Sequence, residues 1–206
     1  MSKESRRELE VGGEANVRKE AARKLLHLIG LAAPIAYLHV GKNSVLASLV
    51  LCLAASAILE ALRLKHPRFF PFHAAFKALA RQRELNAPSG YLYFFLGASI
   101  TVAVFNSWPA IIALTASIIG DVASALVGSQ VGKIPVPRKG RTLEGTLAGA
   151  LSIISLSALY PLPQVAAATV AFMVVETLSP ARLDDNLLHP LALGAAAHLC
   201  ELVIKA

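Results

Sequence analysis

Cysteine is scarce in this sequence, and its placement excludes a disulfide framework and a cysteine-based metal site. Cys52 and Cys200 both lie inside apolar stretches, and no CxxC spacing occurs. A free cysteine in such surroundings packs as a small hydrophobic side chain. Their placement therefore indicates no redox chemistry.

Charged residues are also few. Only 16% of the 206 residues are charged, whereas 55% are hydrophobic, and the mean hydropathy is +0.58. Average soluble domains contain about 45–50% apolar residues. The chain also lacks the GxxxxGK[ST] pattern of a P-loop, of which GSQVGK is only a fragment. The composition predicts an integral membrane protein and excludes a soluble P-loop fold.

Seven apolar stretches approach the length that crosses a bilayer as a helix, about 17–25 residues. They lie at 25–41, 44–62, 89–106, 109–131, 145–160, 164–178 and 187–204. The fifth and sixth are short, so six spans with a re-entrant or tilted segment is the alternative. We predict an all-α transmembrane helical bundle of about seven spans, with a charged segment at 1–22 and one integral membrane domain at 23–206.

Basic residues are distributed unevenly along the chain. If the N-terminus is cytoplasmic and there are seven spans, 18 of the 20 Lys and Arg lie on one side, leaving Lys42 and Lys205 on the other. The positive-inside rule predicts this asymmetry. We expect a cytoplasmic N-terminus without a signal peptide, because residues 1–24 have no apolar run or small-residue cleavage site.

The net charge of +7 does not point to a nucleic-acid partner. The basic residues are spread over short loops next to apolar stretches, with no soluble domain to carry a binding groove. Membrane orientation and anionic lipid headgroups account for them. We expect the lipid bilayer as a partner and no nucleic acid.

Asp121 is the most informative residue, because it lies inside the fourth apolar stretch. A carboxylate there costs about 2.5–3.5 kcal/mol, so it requires a partner, a cation or a water-filled cavity. Gly120, Ser124, Gly128 and Gly132 recur beside it every four residues. Helix packing is the simplest explanation of such a strip. A dry packed interface would leave the carboxylate unpaired, which favours the close approach of a ligand.

A basic loop follows the fourth stretch, and its cations are Lys133, Arg138, Lys139 and Arg141. Their donors suit phosphate oxygens, while the Thr142 hydroxyl and Gly145 add a donor and room for close approach. Mg²⁺ is usually held by one or two carboxylates together with substrate phosphates. Asp121 and Glu144, which flank the loop, are therefore candidate Mg²⁺ ligands. A stop-transfer charge cluster is the alternative, but it requires neither Glu144 nor the glycines.

Two more polar clusters fall on the same predicted face. Their members are Arg23, Lys24 and His27 in one, and Glu176, Asp184, Asp185 and Asn186 in the other. Arg23 and Lys24 are explained if their long side chains reach the membrane interface. Helix capping explains any one of the residues 184–186. Neither explains His27 or Glu176 in an apolar wall.

The longest loop, 63–89, contains HAAFKALARQRE, which we predict to be an amphipathic helix at the membrane interface. A role in gating a substrate is the alternative. Glu60 lies one turn before Arg63, and the spacing predicts an ion pair between them.

Four segments together resemble one enzyme family. They are RKLLHLIG at 23–30, GDVASALVGSQVGK at 120–133, RTLEGTLAG at 141–149 and DDNLLHPL at 184–191. In this order they are similar to the CTP-dependent polyprenol kinases, which include dolichol and phytol kinases and are related to CTP-using diacylglycerol kinases.

The resemblance implies transfer of the γ-phosphoryl group of CTP, with a divalent cation such as Mg²⁺, to a membrane-dissolved isoprenoid alcohol of the dolichol, polyprenol, phytol or geranylgeraniol type. The nucleotide-binding segment of the family matches 120–145. Its other polar motifs match Arg23, Lys24 and His27, and Asp185 and Asn186. Asp121, Asp185 and His27 are alternative acceptors of the alcohol's proton.

Two other functions remain as alternatives. Phosphatidate cytidylyltransferases share a GD…A…G helix followed by a KTxEG-like segment, but this chain lacks their C-terminal signature and has DDNLLHPL instead. An ion-coupled transporter would use Asp121 and Glu176 as coupling groups and would predict inverted repeats, which are not apparent. We therefore favour the kinase.

Overall fold

The computed structural model describes residues 22–80, 82–138, 140–180 and 182–206. Residues 1–21 of the predicted charged segment, together with Arg81 and Lys139, lie outside the described residues. Within the described ranges the chain is helical and has no β-strand, which confirms the all-α class. Among the described residues, three helical runs are long and apolar enough to cross a membrane: Ala22–Lys65, Ser107–Val131 and Asp185–Lys205.

The first helical run is a hairpin of two helices. Gly41 interrupts Ala22–Lys65 with φ 78° and ψ 175°, a conformation that glycine adopts without strain. We call residues 22–40 α1, which includes a 3₁₀ turn at Leu28–Leu31, and residues 42–65 α2. Gly41 is the last residue of the first predicted apolar stretch, 25–41, and α2 covers the second, 44–62.

Except for the short helix His73–Leu79, which lies in the predicted amphipathic segment, the remaining helices follow the predicted apolar stretches closely. They are α3 (His73–Leu79), α4 (Gly90–Val104), α5 (Ser107–Val131), α6 (Leu143–Ile154, continued by a 3₁₀ turn at Ser155–Ala158), α7 (Leu162–Leu178) and α8 (Asp185–Lys205). α4, α6 and α7 are apolar but shorter than the three runs named above. The structure thus contains the predicted apolar helices, while the count of seven membrane crossings stays a prediction.

α5 lies at the centre of the bundle. Its residues from Pro109 to Ile118 are all buried, and α6, α7 and α8 pack around it. One core cluster joins α5 to α6, α7 and α8 around Phe172, and a second joins α5 to α1, α2 and α4 around Tyr37. Asp121 therefore lies on the most buried of the described helices.

The polar connections meet at one end of the bundle, which we call the polar end. There the Arg63 guanidinium contacts the Leu85 carbonyl, and the Arg138 backbone N–H donates to the Thr177 carbonyl. At the opposite end the Lys42 ammonium donates to the carbonyl oxygens of Ala103 and Phe105. α1 and α2 must therefore run antiparallel, since Lys24 lies at the polar end and Gly41 at the other.

The segment between α2 and α4 is anchored to the end of α2. The predicted Glu60–Arg63 pair is confirmed: the two side chains are 4% and 5% exposed, with Arg63 Nε 2.8 Å from Glu60 Oε2. The Arg63 guanidinium also donates to Ala87 O and lies 4.3 Å from the centre of the Phe76 ring. Phe76 belongs to α3, which confirms a helix within the predicted amphipathic sequence.

Candidate functional site

Asp121 is paired across the helix interface with the start of α1. Its Oδ2 accepts a hydrogen bond from the Lys24 ammonium, and His27 Nε2 lies 3.8 Å from the same oxygen. Lys24 is one turn before His27, so α1 presents both side chains to α5. The buried aspartate is thus compensated by side chains of the first predicted polar cluster.

Arg141 links three carboxylates from three helices. Its Nη2 lies 2.5 Å from Asp185 Oδ2 and 3.5 Å from Asp121 Oδ1, while Nη1 lies 3.0 Å from Glu176 Oε1. Burial disfavours the guanidinium charge, but the carboxylates of Glu176, Asp121 and Asp185 outweigh it and raise the pKa of Arg141 above its ordinary value. Arg141 therefore stays charged and joins α5, α7 and α8 at the polar end.

Further contacts extend this network into the bundle. The Arg138 guanidinium pairs with Asp185 Oδ1, and the Ser124 hydroxyl donates to Glu176 Oε1. His189 Nε2 lies 3.4 Å from Glu176 Oε2, and both side chains are almost fully buried. His189 was not a predicted site residue. Its spacing of four from Asp185, which places both on one face of α8, was the available signal.

We call these residues the charged cluster: Lys24, His27, Asp121, Arg138, Arg141, Glu176, Asp185 and His189. Its three Lys and Arg balance its three carboxylates if both histidines are neutral. A buried group of charges requires such pairing. Within these eight residues, a polyanion therefore finds no surplus positive charge as long as both histidines are neutral. It has to bring a counter-cation or replace a carboxylate as the partner of a basic side chain.

The start of α8 completes the polar end. Asp184 caps this helix by accepting hydrogen bonds from the Asn186 backbone N–H and side-chain amide, at 3.1 and 2.9 Å. The amide of Asn186 also lies against α4, because a Cβ added at Gly90 would be 2.7 Å from Asn186 Nδ2. The predicted 184–186 cluster thus supplies a helix cap and one carboxylate, Asp185, to the charged cluster.

A cavity of about 820 Å³ starts at the charged cluster and continues between α1, α2 and α4. Its polar wall contains Arg23, Lys24, His27, Asp121, Asp184, Asp185 and Asn186. The rest of its lining is mainly apolar, as with Ala33, Ala36, Leu49 and Phe94. The volume falls within the range of about 300–1,000 Å³ that is usual for small-ligand sites. The cavity is amphipathic, with charge at one end only.

The strip of small residues on α5 packs against α6. A Cβ added at Gly145 would lie 2.7 Å from Ser124 O, and one added at Gly128 would lie 3.4 Å from Gly145 Cα. Gly120 faces the Ile153 and Phe172 side chains. The strip therefore serves close helix packing, and the structure does not bring Gly120, Gly128 or Gly145 to the cavity wall.

The predicted phosphate-binding residues of the basic loop lie in different places. Arg138 and Arg141 enter the charged cluster, whereas Lys133 is exposed and Lys139 lies outside the described residues. Gly140 takes a positive φ of 81° at the turn. The Thr142 hydroxyl caps α6 by accepting the Gly145 N–H at 3.3 Å. The loop thus directs its two arginines inward.

Glu144 makes its contacts with the loop backbone and not with Asp121. Its carboxylate accepts the Ile134 N–H with both oxygens, each at 3.2 Å. Backbone N–H groups of Glu144 itself, Lys133 and Ile134 stabilise the carboxylate and lower its pKa below the ordinary value. The predicted pair of Mg²⁺ ligands is therefore not brought together, and Glu144 holds the loop closed.

The carboxylates of the charged cluster have the chemistry that Mg²⁺ requires. Among the described residues no three His, Cys, Asp or Glu side chains are arranged to enclose a metal ion. However, the carboxylate oxygens Asp121 Oδ1, Glu176 Oε2 and Asp185 Oδ1 are buried, and each lies beside one basic side chain, that of Arg141, His189 and Arg138, respectively. Mg²⁺ commonly uses one or two carboxylates and completes its ligands with phosphate oxygens and water. Asp121 and Asp185, which both line the cavity, fit that limited role.

Comparisons of the chain with protein-family profiles, curated sequences and solved structures returned no match.

Proposed function

We propose that this protein is a membrane enzyme that transfers the γ-phosphoryl group of CTP to a membrane-dissolved isoprenoid alcohol, releasing CDP. The observation that carries the proposal is the amphipathic cavity. Its apolar part suits a hydrocarbon chain, and its single charged end suits a hydroxyl meeting a phosphate. The motif resemblance at 23–30, 120–133, 141–149 and 184–191 supports CTP as the donor.

The proposed arrangement across the membrane has seven crossings and a cytoplasmic polar end. Seven apolar helical segments support this count, once the hairpin at Gly41 is taken as two helices. The polar end also carries the loops that hold most of the basic residues. A cytoplasmic polar end gives the charged cluster access to nucleotide, while the cavity keeps access to lipid.

In the proposed reaction the alcohol oxygen attacks the γ-phosphorus of CTP. A new P–O bond forms as the bond between the γ-phosphorus and the β,γ-bridging oxygen breaks, and CDP leaves with that electron pair. His27 accepts the hydroxyl proton at its ring, and Asp121, 3.8 Å away, stabilises the resulting imidazolium. The transition state is loose, so modest base strength suffices.

The basic side chains of the cluster act on the phosphate oxygens. Arg138 and Arg141 each present a planar guanidinium, which matches phosphate oxygens in pairs. Lys24 adds a compact positive charge beside Asp121. A bound triphosphate would take over part of the contacts that Asp185 and Glu176 now make with these cations.

Mg²⁺ would be held by Asp121 and Asp185 together with phosphate oxygens. It would neutralise charge on the transferring phosphoryl group. This assignment replaces the predicted partner Glu144 with Asp185, because Arg141 joins Asp121 to Asp185 whereas Glu144 is engaged by the loop backbone.

Purified protein in lipid vesicles, incubated with labelled CTP, Mg²⁺ and prenyl alcohols, tests the proposal. We expect a labelled prenyl monophosphate from γ-labelled CTP and unlabelled lipid from α-labelled CTP. A lipid product that carries the α-label, formed with phosphatidate, would identify a cytidylyltransferase. Absence of both products would refute the kinase proposal and favour transport.

A control variant shows whether the product comes from this site. Arg141→Ala should lose the activity, because it removes the side chain that joins three carboxylates. Arg182→Ala removes an exposed cation and should retain it. Equal activity in both variants would show that the labelled product arises elsewhere.

A further inference from the structure

The cavity walls have a definite length. Counted from His27, the proposed base, α1 lines the cavity as far as Val40, and α2 lines it between Leu59 and Val45. At about 1.5 Å per helical residue, each wall is about 20 Å long. The two antiparallel walls have the same length, so the cavity follows almost the whole hairpin from the charged cluster toward Gly41.

The far end of the cavity is limited by the hairpin itself. α1 and α2 are joined at Gly41, so the space between them cannot continue past that residue. On the inner side, Tyr37 and Val45 are buried in the core that α1 and α2 share with α4 and α5. Exposed Leu26 and Ile29 also line the cavity and open it sideways toward lipid.

A fully extended chain advances about 1.2 Å per backbone bond, so 20 Å accommodates about 16 bonds, or about four isoprene units. We propose that the cavity binds the first four isoprene units of the alcohol, counted from the hydroxyl, and that any further units lie in the surrounding lipid. This inference rests on the proposed function and adds the length over which the substrate is recognised.

The length proposal predicts how activity changes with the alcohol. The chain of an unbound alcohol already lies in lipid, so entering the cavity yields little hydrophobic transfer energy. The favourable free energy comes instead from packing contacts with the cavity wall, and it grows with each isoprene unit that the cavity holds. We expect kcat/KM to rise at least about tenfold from geraniol through farnesol to geranylgeraniol. From geranylgeraniol to longer polyprenols it should change less than about threefold.

A variant that shortens the cavity gives a sharper test. Ala36 lines the cavity on α1 about 13 Å along the helix from His27, about two thirds of the wall. Ala36→Phe should lower kcat/KM for geranylgeraniol about tenfold and for geraniol less than about threefold. Ala55→Phe is the matched control: Ala55 is exposed on α2 and does not line the cavity. It should change neither value.

The outcomes separate this inference from the proposed function. Phosphorylation with no dependence on chain length, or an equal effect of Ala36→Phe on all alcohols, would overturn the length proposal while leaving the kinase intact. The second readout is displacement of a bound fluorescent geranylgeranyl probe by unlabelled alcohols without nucleotide. Displacement that strengthens up to four units supports the length proposal even if no phosphorylation occurs, and displacement independent of length overturns it.

Discussion

Replacing Asp121 with Asn should separate the stability of the charged cluster from its chemistry. The substitution keeps the side-chain shape but leaves the Lys24 ammonium without the carboxylate that it contacts. Removing one partner of a buried ion pair costs about 3–5 kcal/mol, because the other charge stays buried. We expect Asp121→Asn to lower the free energy of unfolding in detergent by about this amount.

The second member of the pair supplies the control. Lys24→Met alone should cost less, because Asp121 keeps Arg141 at 3.5 Å and His27 at 3.8 Å. In the double variant neither charge remains, so most of the stability should return, to within about 1–2 kcal/mol of the original protein. Unfolding followed by tryptophan fluorescence and by circular dichroism gives the values for all four proteins.

Activity should not return with stability. If Asp121 holds Mg²⁺ and stabilises the imidazolium of His27, its loss should lower kcat at least about a thousandfold, or about 4 kcal/mol. The double variant should be stable and still inactive. A double variant that keeps a tenth of the activity would refute the role of Asp121, and one no more stable than Asp121→Asn would refute the pairing argument.

Five other variants give independent checks. Arg141→Lys keeps one charge but cannot bridge three carboxylates, so kcat/KM should fall about a hundredfold while the protein stays folded. His27→Gln should lower kcat about a hundredfold or more and remove the acidic limb of the rate–pH profile; an unchanged profile would exclude His27 as the base. The stabilising effect of Glu144 should be present above its ordinary pKa of 4.5 and lost as the pH falls through its lower folded value. In the Glu144→Gln variant, the stability of the folded loop should therefore differ less between pH 7 and pH 3 than in the original protein. The rate of proteolysis within the 132–142 loop, measured at both pH values, gives this difference. Arg63→Met should destabilise the protein by about 3 kcal/mol in thermal unfolding, and Glu60→Gln added to it should restore part of that loss.

Much of the fold follows from the distribution of apolar residues. The helices α4 to α8 lie at the predicted stretches, and Gly41 separates the two helices that cover the first two stretches. Length and hydropathy suffice for this because each helix satisfies its own backbone hydrogen bonds. The number of membrane crossings is not fixed in the same way, since α4, α6 and α7 are shorter than the long helices.

The sequence was sufficient to predict which polar residues form the site, but not which of them contact each other. The predicted polar residues Lys24, Asp121, Arg141 and Asp185 do meet at one end of the bundle. Periodicity identifies which residues share a helix face, but not which neighbour that face meets. The glycines beside Asp121 therefore turned out to face α6, although Asp121 itself faces α1.

Glu144 shows why proximity in sequence was insufficient. It follows Thr142, which caps α6, and its carboxylate turns back to the Ile134 N–H in the loop. The prediction required Glu144 to reach across α5 to Asp121. Local backbone donors were closer, and local hydrogen bonds of this kind are the usual competitors of a longer-range contact.

The pair between Lys24 and Asp121 also has a consequence for how the chain assembles. The two residues are 97 positions apart, so Lys24 is synthesised and reaches the membrane well before its partner exists. Until α5 is inserted, the Lys24 ammonium can lower the free-energy cost of its burial by reaching the water at the bilayer surface. We therefore expect α1 to lie closer to the bilayer surface until α5 is in place.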